Sequence, residues 1–263
     1  MSSAPLPPHA PLERFYGRGP AGADTPAAAA RGRDARRVFV TELFDRAAGS
    51  YDWLNGVMSF GSGLRYRREA LRRAGLTEGM RVLDVAVGTG LTARAALSIT
   101  GRGSLVVGLD SSLGMLGHAR LLGIPLVRAV AEQLPVASRS FDFISMGYAL
   151  RHVADLNDTF REYHRVLRPG GRLVLLELTR PLGSSLRYGV LRFYMKHVLP
   201  LLAQLGPGGP DARTLMEYYW ETIDACVPPE AVLGSLRRAG FEDVRQELTW
   251  GIFSEYVARA QNE

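Results

Sequence analysis

The chain has 263 residues, 46% of them hydrophobic, with a single cysteine and a formal net charge of +6. That length suffices for one well-buried domain with elaborations, and the lone Cys226 excludes an internal disulfide or a cysteine-based zinc site and fits a reducing, cytoplasmic setting. No apolar run reaches the roughly 18 residues of a membrane span, no apolar signal core follows the N-terminus, and the basic charge is dispersed, so nucleic acid is not an expected partner.

Residues 1–37 are rich in Pro, Ala, Gly and Arg and lack sustained periodicity. They read as a disordered leader, with at most a short helix over Ala27–Ala30. A single domain is expected from 38 to 263. It opens with two or three helices, broken at Phe-Gly-Ser-Gly (60–63), through Leu76.

Strands and helices then alternate. Strands are expected at 81–87, 104–110, 125–131, 141–148 and 172–179, with helices at 92–100, 112–123 and 156–167 between them. Ser111 or Ser112 supplies an N-cap, and Leu-Arg-Pro-Gly-Gly (167–171) stops the last helix. Near-continuous apolar strands of this kind imply a parallel sheet covered on both faces. Residues 183–228 read as an inserted helical lid rich in aromatics, 229–240 as a helix, and 241–260 as a strand pair. The fold class is therefore α/β and Rossmann-like, with a seven-stranded, mostly parallel sheet.

In such a sheet ligands sit beyond the carboxyl ends of the strands, near the point where strand order reverses. The first strand leads into Val-Gly-Thr-Gly (87–90), where Gly88 and Gly90 permit a sharp turn and close approach to a ligand. A dinucleotide site wants a third glycine three positions on, because its pyrophosphate rests on the helix N-terminus. Ala93 stands there instead. Asp84, just before the turn, repels a pyrophosphate and suits a cationic, amino-bearing ligand, while Asp110 at the end of the next strand can accept from two ribose hydroxyls. Together these point to S-adenosylmethionine. Capping of local turns is the bland alternative for both carboxylates.

The chain resembles the class I S-adenosylmethionine-dependent methyltransferases, and more narrowly the ubiquinone/menaquinone biosynthesis C-methyltransferase family. Phe-Asp-Arg-Ala-Ala-Gly-Ser-Tyr-Asp-Trp-Leu-Asn (44–55), Val-Leu-Asp-Val-Ala-Val-Gly-Thr-Gly (82–90), Gly-Tyr-Ala-Leu-Arg-His (147–152) and the fifth-strand passage 167–181 carry the resemblance, which spans about Val38 to Ala260. The departures are Val87, Val130 in place of an adenine-binding aspartate, His152 in place of an asparagine, and an altered passage at 216–228.

The resemblance implies methylation of a ring carbon beside a phenolic oxygen. It implies cofactor contacts at Tyr51, Arg68, Asp84, Ala86, Gly88, Gly90, Asp110, Ser111, Met115, Val130, Ala131, Glu132 and Gly147, with a solvated face as the alternative for Arg68. Arg151 is implied to aid deprotonation through water; physically, a fixed guanidinium also stabilises an oxyanion. His152 is either a general base or a helix cap. Tyr51 is implied at the catalytic centre and Asn55 beside the substrate, with helix capping as the alternative for Asn55; Phe193, Tyr194, Tyr218 and Tyr219 are expected to face the substrate or to pack in the core. The apolar stretch 188–202 with Arg192, Lys196 and His197 either packs inward or rests on a membrane surface. The expected acceptor is a small hydrophobic aromatic, and a homodimer is compatible with the size. The competing readings are a methyltransferase for another aromatic metabolite and a non-catalytic, cofactor-binding member.

Overall fold

The computed structural model describes residues 26–59, 61–101, 103–179, 189–190, 192–206, 208–224, 226–249 and 251–262, and side chains from Ala35 onward. Residues 1–25 of the expected leader, and the part of the lid insertion at 183–188, lie outside the described residues.

The chain opens with helix α1 (Pro26–Met58) and α2 (Gly63–Arg73). Strands β1 (Val82–Val85), β2 (Val106–Asp110), β3 (Leu126–Arg128), β4 (Phe141–Gly147) and β5 (Leu167–Leu178) follow, with α3 (Leu91–Thr100), α4 (Leu113–Ala119) and α5 (Leu156–Val166) between them. A π-helical turn (Tyr194–Val198) leads into α6 (Leu199–Leu205), then α7 (Gly209–Asp224), α8 (Pro229–Arg238), β6 (Phe241–Thr249) and β7 (Phe253–Ala260). The seven strands form one sheet in the order β3-β2-β1-β4-β5-β7-β6. β7 runs antiparallel to both neighbours, and the pairings among β1 to β5 are parallel. Strand order reverses between β1 and β4, which puts the ligand-binding crevice at their carboxyl ends.

The period-2 alternation of each strand feeds two cores. Leu83, Val85, Ile144, Met146, Leu173 and Leu175 pack with Phe160 and Tyr163 of α5 on one face. Val82, Phe143, Val174 and Leu176 pack with α2 and α3 on the other. A third cluster lies off the sheet, where Leu43, Ala47 and Leu54 of α1 meet Met195, Leu199, Tyr218, Tyr219 and Trp220. Ser112 caps α4 by accepting from the Met115 amide at 3.0 Å, and Asp155 caps α5 through the Asn157 and Asp158 amides.

Strands β1 and β3 are shorter than the expected 81–87 and 125–131, and two other boundaries differ more. Helix α1 starts at Pro26, so the expected leader is helical over 26–37. The alanine run is among the strongest helix formers, and it continues a helix that Phe39, Leu43 and Ala47 anchor in the third cluster further on. Strand β5 begins at Leu167, because Leu167 already pairs with Phe141 across a register shift, so Pro-Gly-Gly ends α5 without breaking the strand.

Candidate active site

Beyond β1 the chain turns through three left-handed residues, Ala86 (φ 55°), Gly88 (56°) and Gly90 (95°). The Gly88 amide donates to Asp110 Oδ2 at 2.8 Å, and the Ser112 amide to Asp110 Oδ1 at 2.9 Å, so the β2 carboxylate is fixed at the rim. A Cβ added at Gly88 would meet nothing within 4 Å and would project into open space. At Gly90 it would lie 2.4 Å from Leu122 Cδ1, so this glycine serves the packing of α3. Asp84 is fully buried beneath the turn. Its Oδ1 accepts from Ser145 at 2.6 Å, its Oδ2 has no partner, and burial pushes its carboxyl up to about 7.

The turn opens onto a cleft that is open to solvent on one side. Asp110, Ser111, Met115, Val130, Ala131 and Glu132 line one side; Gly147, Tyr148 and His152 line the other. Arg36, Thr41, Phe44 and Tyr51 of α1 form its cover. Polar ties hold that cover down. Asp45 Oδ1 accepts from the Ser112 hydroxyl and from the Gly114 amide at 2.8 Å, Asp52 accepts from the Thr89 hydroxyl in the glycine turn, and Arg36 Nη2 donates to the Arg151 carbonyl at 2.7 Å.

The passage after β4 supplies the remaining groups. Tyr148 has φ 61°, uncommon for a bulky residue, and is held there by its amide N–H, which donates to the Leu176 carbonyl at 2.7 Å, and by the Arg67 guanidinium 4.8 Å from its ring centroid. His152 Nδ1 lies 3.0 Å from the Tyr218 hydroxyl, its ring stacks on Tyr218 at 5.4 Å, and Phe44 meets it edge-on. Its Nε2 is buried without a partner. Burial, with the Arg151 and Arg36 cations nearby, holds the imidazole well below its usual range, so it is neutral at pH 7. Arg151 is turned away from the cavity wall. Its guanidinium pairs with Glu177, donates to Thr222 Oγ1 at 3.1 Å and sits 4.5 Å over the Tyr219 ring.

The sequence profile of the ubiE/COQ5 methyltransferase family matches residues 31–259. The chain belongs to the ubiE/COQ5 methyltransferase family. It is 37% identical over 221 residues to a ubiquinone/menaquinone biosynthesis C-methyltransferase UbiE of Syntrophotalea carbinolica, which covers 81% of this chain and 91% of that protein. It is 34% identical over 228 residues to a demethylmenaquinone methyltransferase of Geobacillus kaustophilus, covering 83% and 95%. Among solved structures, a methyltransferase of Thermotoga maritima superposes with a TM-score of 0.60 at 20% identity, over 84% of this chain and 99% of that one, a likeness of fold. This ubiE/COQ5 member is therefore an S-adenosylmethionine-dependent methyltransferase.

The residues fit that donor. The unpartnered Oδ2 of Asp84 and the rim carboxylate of Asp110 suit an ammonium group and a ribose diol, and both oppose a pyrophosphate. Gly88, lacking a Cβ, leaves the space such a ligand needs. Gly147 in β4 answers to packing instead: a Cβ there would lie 2.5 Å from Thr92 Oγ1.

Of the residues singled out from sequence, Tyr51, Ala86, Gly88, Asp110, Ser111, Met115, Val130, Ala131, Glu132, Gly147 and His152 share the cavity wall. Glu132 is further tied down by the Ala154 amide at 2.7 Å. Tyr218 and Tyr219 stand one layer behind it, bonded to His152 and, at 2.8 Å, to the Tyr51 hydroxyl. The other expected contacts lie off the wall: Asp84 and Gly90 are buried behind the turn, and Arg151 is drawn to Glu177. Four further expectations are corrected. Arg68 is exposed, and its neighbour Arg67 is the buried arginine. Asn55 is turned to the Tyr51 carbonyl and to Arg67. Phe193 points outward, 62% exposed, because the inner face of its helix is taken by Met195 and Leu199. Tyr194 packs against the third cluster and is not part of the wall. Arg36, Phe44 and Tyr148 were missed. Phe44 and Tyr148 lie within the motif passages, whereas only the helical continuation of α1 reveals Arg36.

Proposed function

We propose that this enzyme methylates a ring carbon of a prenylated or alkylated hydroquinone, with His152 as the general base. The observation that carries the reading is a neutral imidazole whose Nε2 is unpartnered, in the wall of the cavity that Phe44, Tyr51 and Tyr148 line with aromatic rings. The names of its relatives, a ubiquinone/menaquinone C-methyltransferase and a demethylmenaquinone methyltransferase, support the substrate class.

When bound, the donor supplies a methyl carbon made electrophilic by its sulfonium. Asp110 would hold the ribose, Ala131 and Glu132 would lie along the adenine, and the Asp84 carboxylate would answer the amino group. The aromatic walls would hold a flat ring in line, and such alignment is worth several kcal/mol of barrier. In the tautomer with the proton on Nδ1, His152 donates to the Tyr218 hydroxyl and its Nε2 lone pair is left to take the phenolic proton. That loss raises electron density on the carbon beside the oxygen. The Arg36 guanidinium, which lines the cavity, would also favour the phenolate. Loss of the ring-carbon proton to solvent restores the aromatic ring as a phenolate, which takes its proton back from His152.

The test uses methyl-labelled S-adenosylmethionine with hydroquinones of graded tail length, and locates the label by mass spectrometry. Label on a ring carbon is expected, and His152→Asn should lower kcat about 10²–10⁴-fold with cofactor affinity kept. Label on oxygen, or full activity in His152→Asn, would overturn the reading.

A further inference from the structure

The helical segment leading into α6 presents an unusual outer side. Val190, Phe193, Leu201, Leu202 and Leu205 are exposed by 64, 62, 56, 40 and 77%. A surface helix ordinarily turns polar residues to water, and apolar side chains gathered at a surface mark contact with something apolar. Its inner side is already used: Met195, Leu199 and Ala203 are buried against Tyr218 and Tyr219, which back the cavity wall. Trp53 of α1 extends the outer patch. A Cβ on Gly206, just past α6, would lie 2.4 Å from Trp53 Cη2, and the indole is 38% exposed.

Charge narrows the occupant. Arg192, Lys196 and His197 are exposed on the same segment, and residues 189–206 contain no Asp or Glu. A second copy packed face to face would bring like charges together, which is costly. An anionic surface with an apolar layer beneath it satisfies both halves of the patch.

We propose that this face docks the enzyme onto an anionic lipid bilayer. Phe193, Leu201 and Leu205 enter the headgroup boundary, Trp53 sits at its level, and Arg192 and Lys196 meet lipid phosphates from the flank. The docked helix packs against the tyrosines that back the cavity wall, so docking turns that side of the site toward the membrane. The delivery of a tailed substrate from the bilayer rests on the hydroquinone reading; the docking itself does not.

The test uses the full chain and vesicles of phosphatidylcholine with or without phosphatidylglycerol, read by co-sedimentation and tryptophan emission. Binding to the anionic vesicles with a blue shift that Trp53→Phe abolishes is expected. Leu201→Asp with Leu205→Asp should reduce the bound fraction at least about tenfold, as should Arg192→Glu with Lys196→Glu at low salt. Circular dichroism and cofactor titration confirm that each variant is folded. No binding to anionic vesicles at low salt, unchanged binding in the leucine variant, or a dimer that the leucine variant dissociates without any vesicle binding would overturn the proposal. Methyl transfer to a short-tailed, water-soluble hydroquinone separates the two claims. It should be retained in the leucine variant, and its absence in the unmodified enzyme removes the substrate reading while the vesicle result stands.

Discussion

Glu177→Ala tests whether Arg151 is an anchor of the fold. The two side chains are 1% and 4% exposed and pair directly, while the backbone amides of Arg151 and Leu178 also donate to the Glu177 carboxylate, at 3.2 and 2.8 Å. Truncation leaves a guanidinium buried with only Thr222 and the Tyr219 ring for company. An uncompensated buried charge costs about 3–5 kcal/mol. For a chain of this size that corresponds to a fall in Tm of roughly 10 °C. Replacing both partners, Arg151→Met with Glu177→Leu, removes the charge along with its partner and should bring stability back to within about 1–2 kcal/mol of the original. Urea unfolding followed by circular dichroism reads both variants. A single variant within about 1 kcal/mol of the parent, or a double variant no better than the single, would refute the reasoning.

Asp84 should couple protons to cofactor binding. Its folded-state value is raised from 3.8 to about 7, so its stabilising contribution is full below about pH 4 and is lost as pH rises through 7. A cationic ligand beside it reverses that shift, so binding near pH 7 should release a fraction of a proton, seen as a buffer-dependent enthalpy in titration calorimetry. Gly147→Ala places a methyl 2.5 Å from Thr92 Oγ1 and should cost about 1–3 kcal/mol, much of it restored by adding Thr92→Ala; thermal unfolding compares the two. Tyr218→Phe leaves His152 Nδ1 buried without its partner and should destabilise by about 1–3 kcal/mol in urea titration.

The sheet, the glycine turn and the pair Asp84–Asp110 were legible because short-range rules decide them. Apolar strands need an alternating register, and a turn that must pass through left-handed backbone needs glycine. What was not legible depends on contacts distant in sequence. Arg151 and His152 are adjacent in the chain, yet Glu177, 26 residues on, draws one into the protein, and Tyr218 fixes the other at the wall. The helical phase alone does not separate Arg67, which is buried, from Arg68, which is exposed, until Tyr148 provides a ring for one of them. Phe193 follows the same logic: an aromatic on a lid helix reads as a substrate wall until the opposite side of that helix proves to be the packed one.

Helix α1 makes the cavity's cover part of the same chain end that ties down Ser112, Thr89 and Arg151. The cover and the rim are therefore one polar unit: the carboxylates of Asp45 and Asp52 hold α1 and, at the same time, fix Ser112 and Thr89 at the glycine turn. Asp45→Ala or Asp52→Ala is expected to weaken donor binding although neither side chain lines the cavity, so affinity here is set as much by what fastens the wall as by the wall itself.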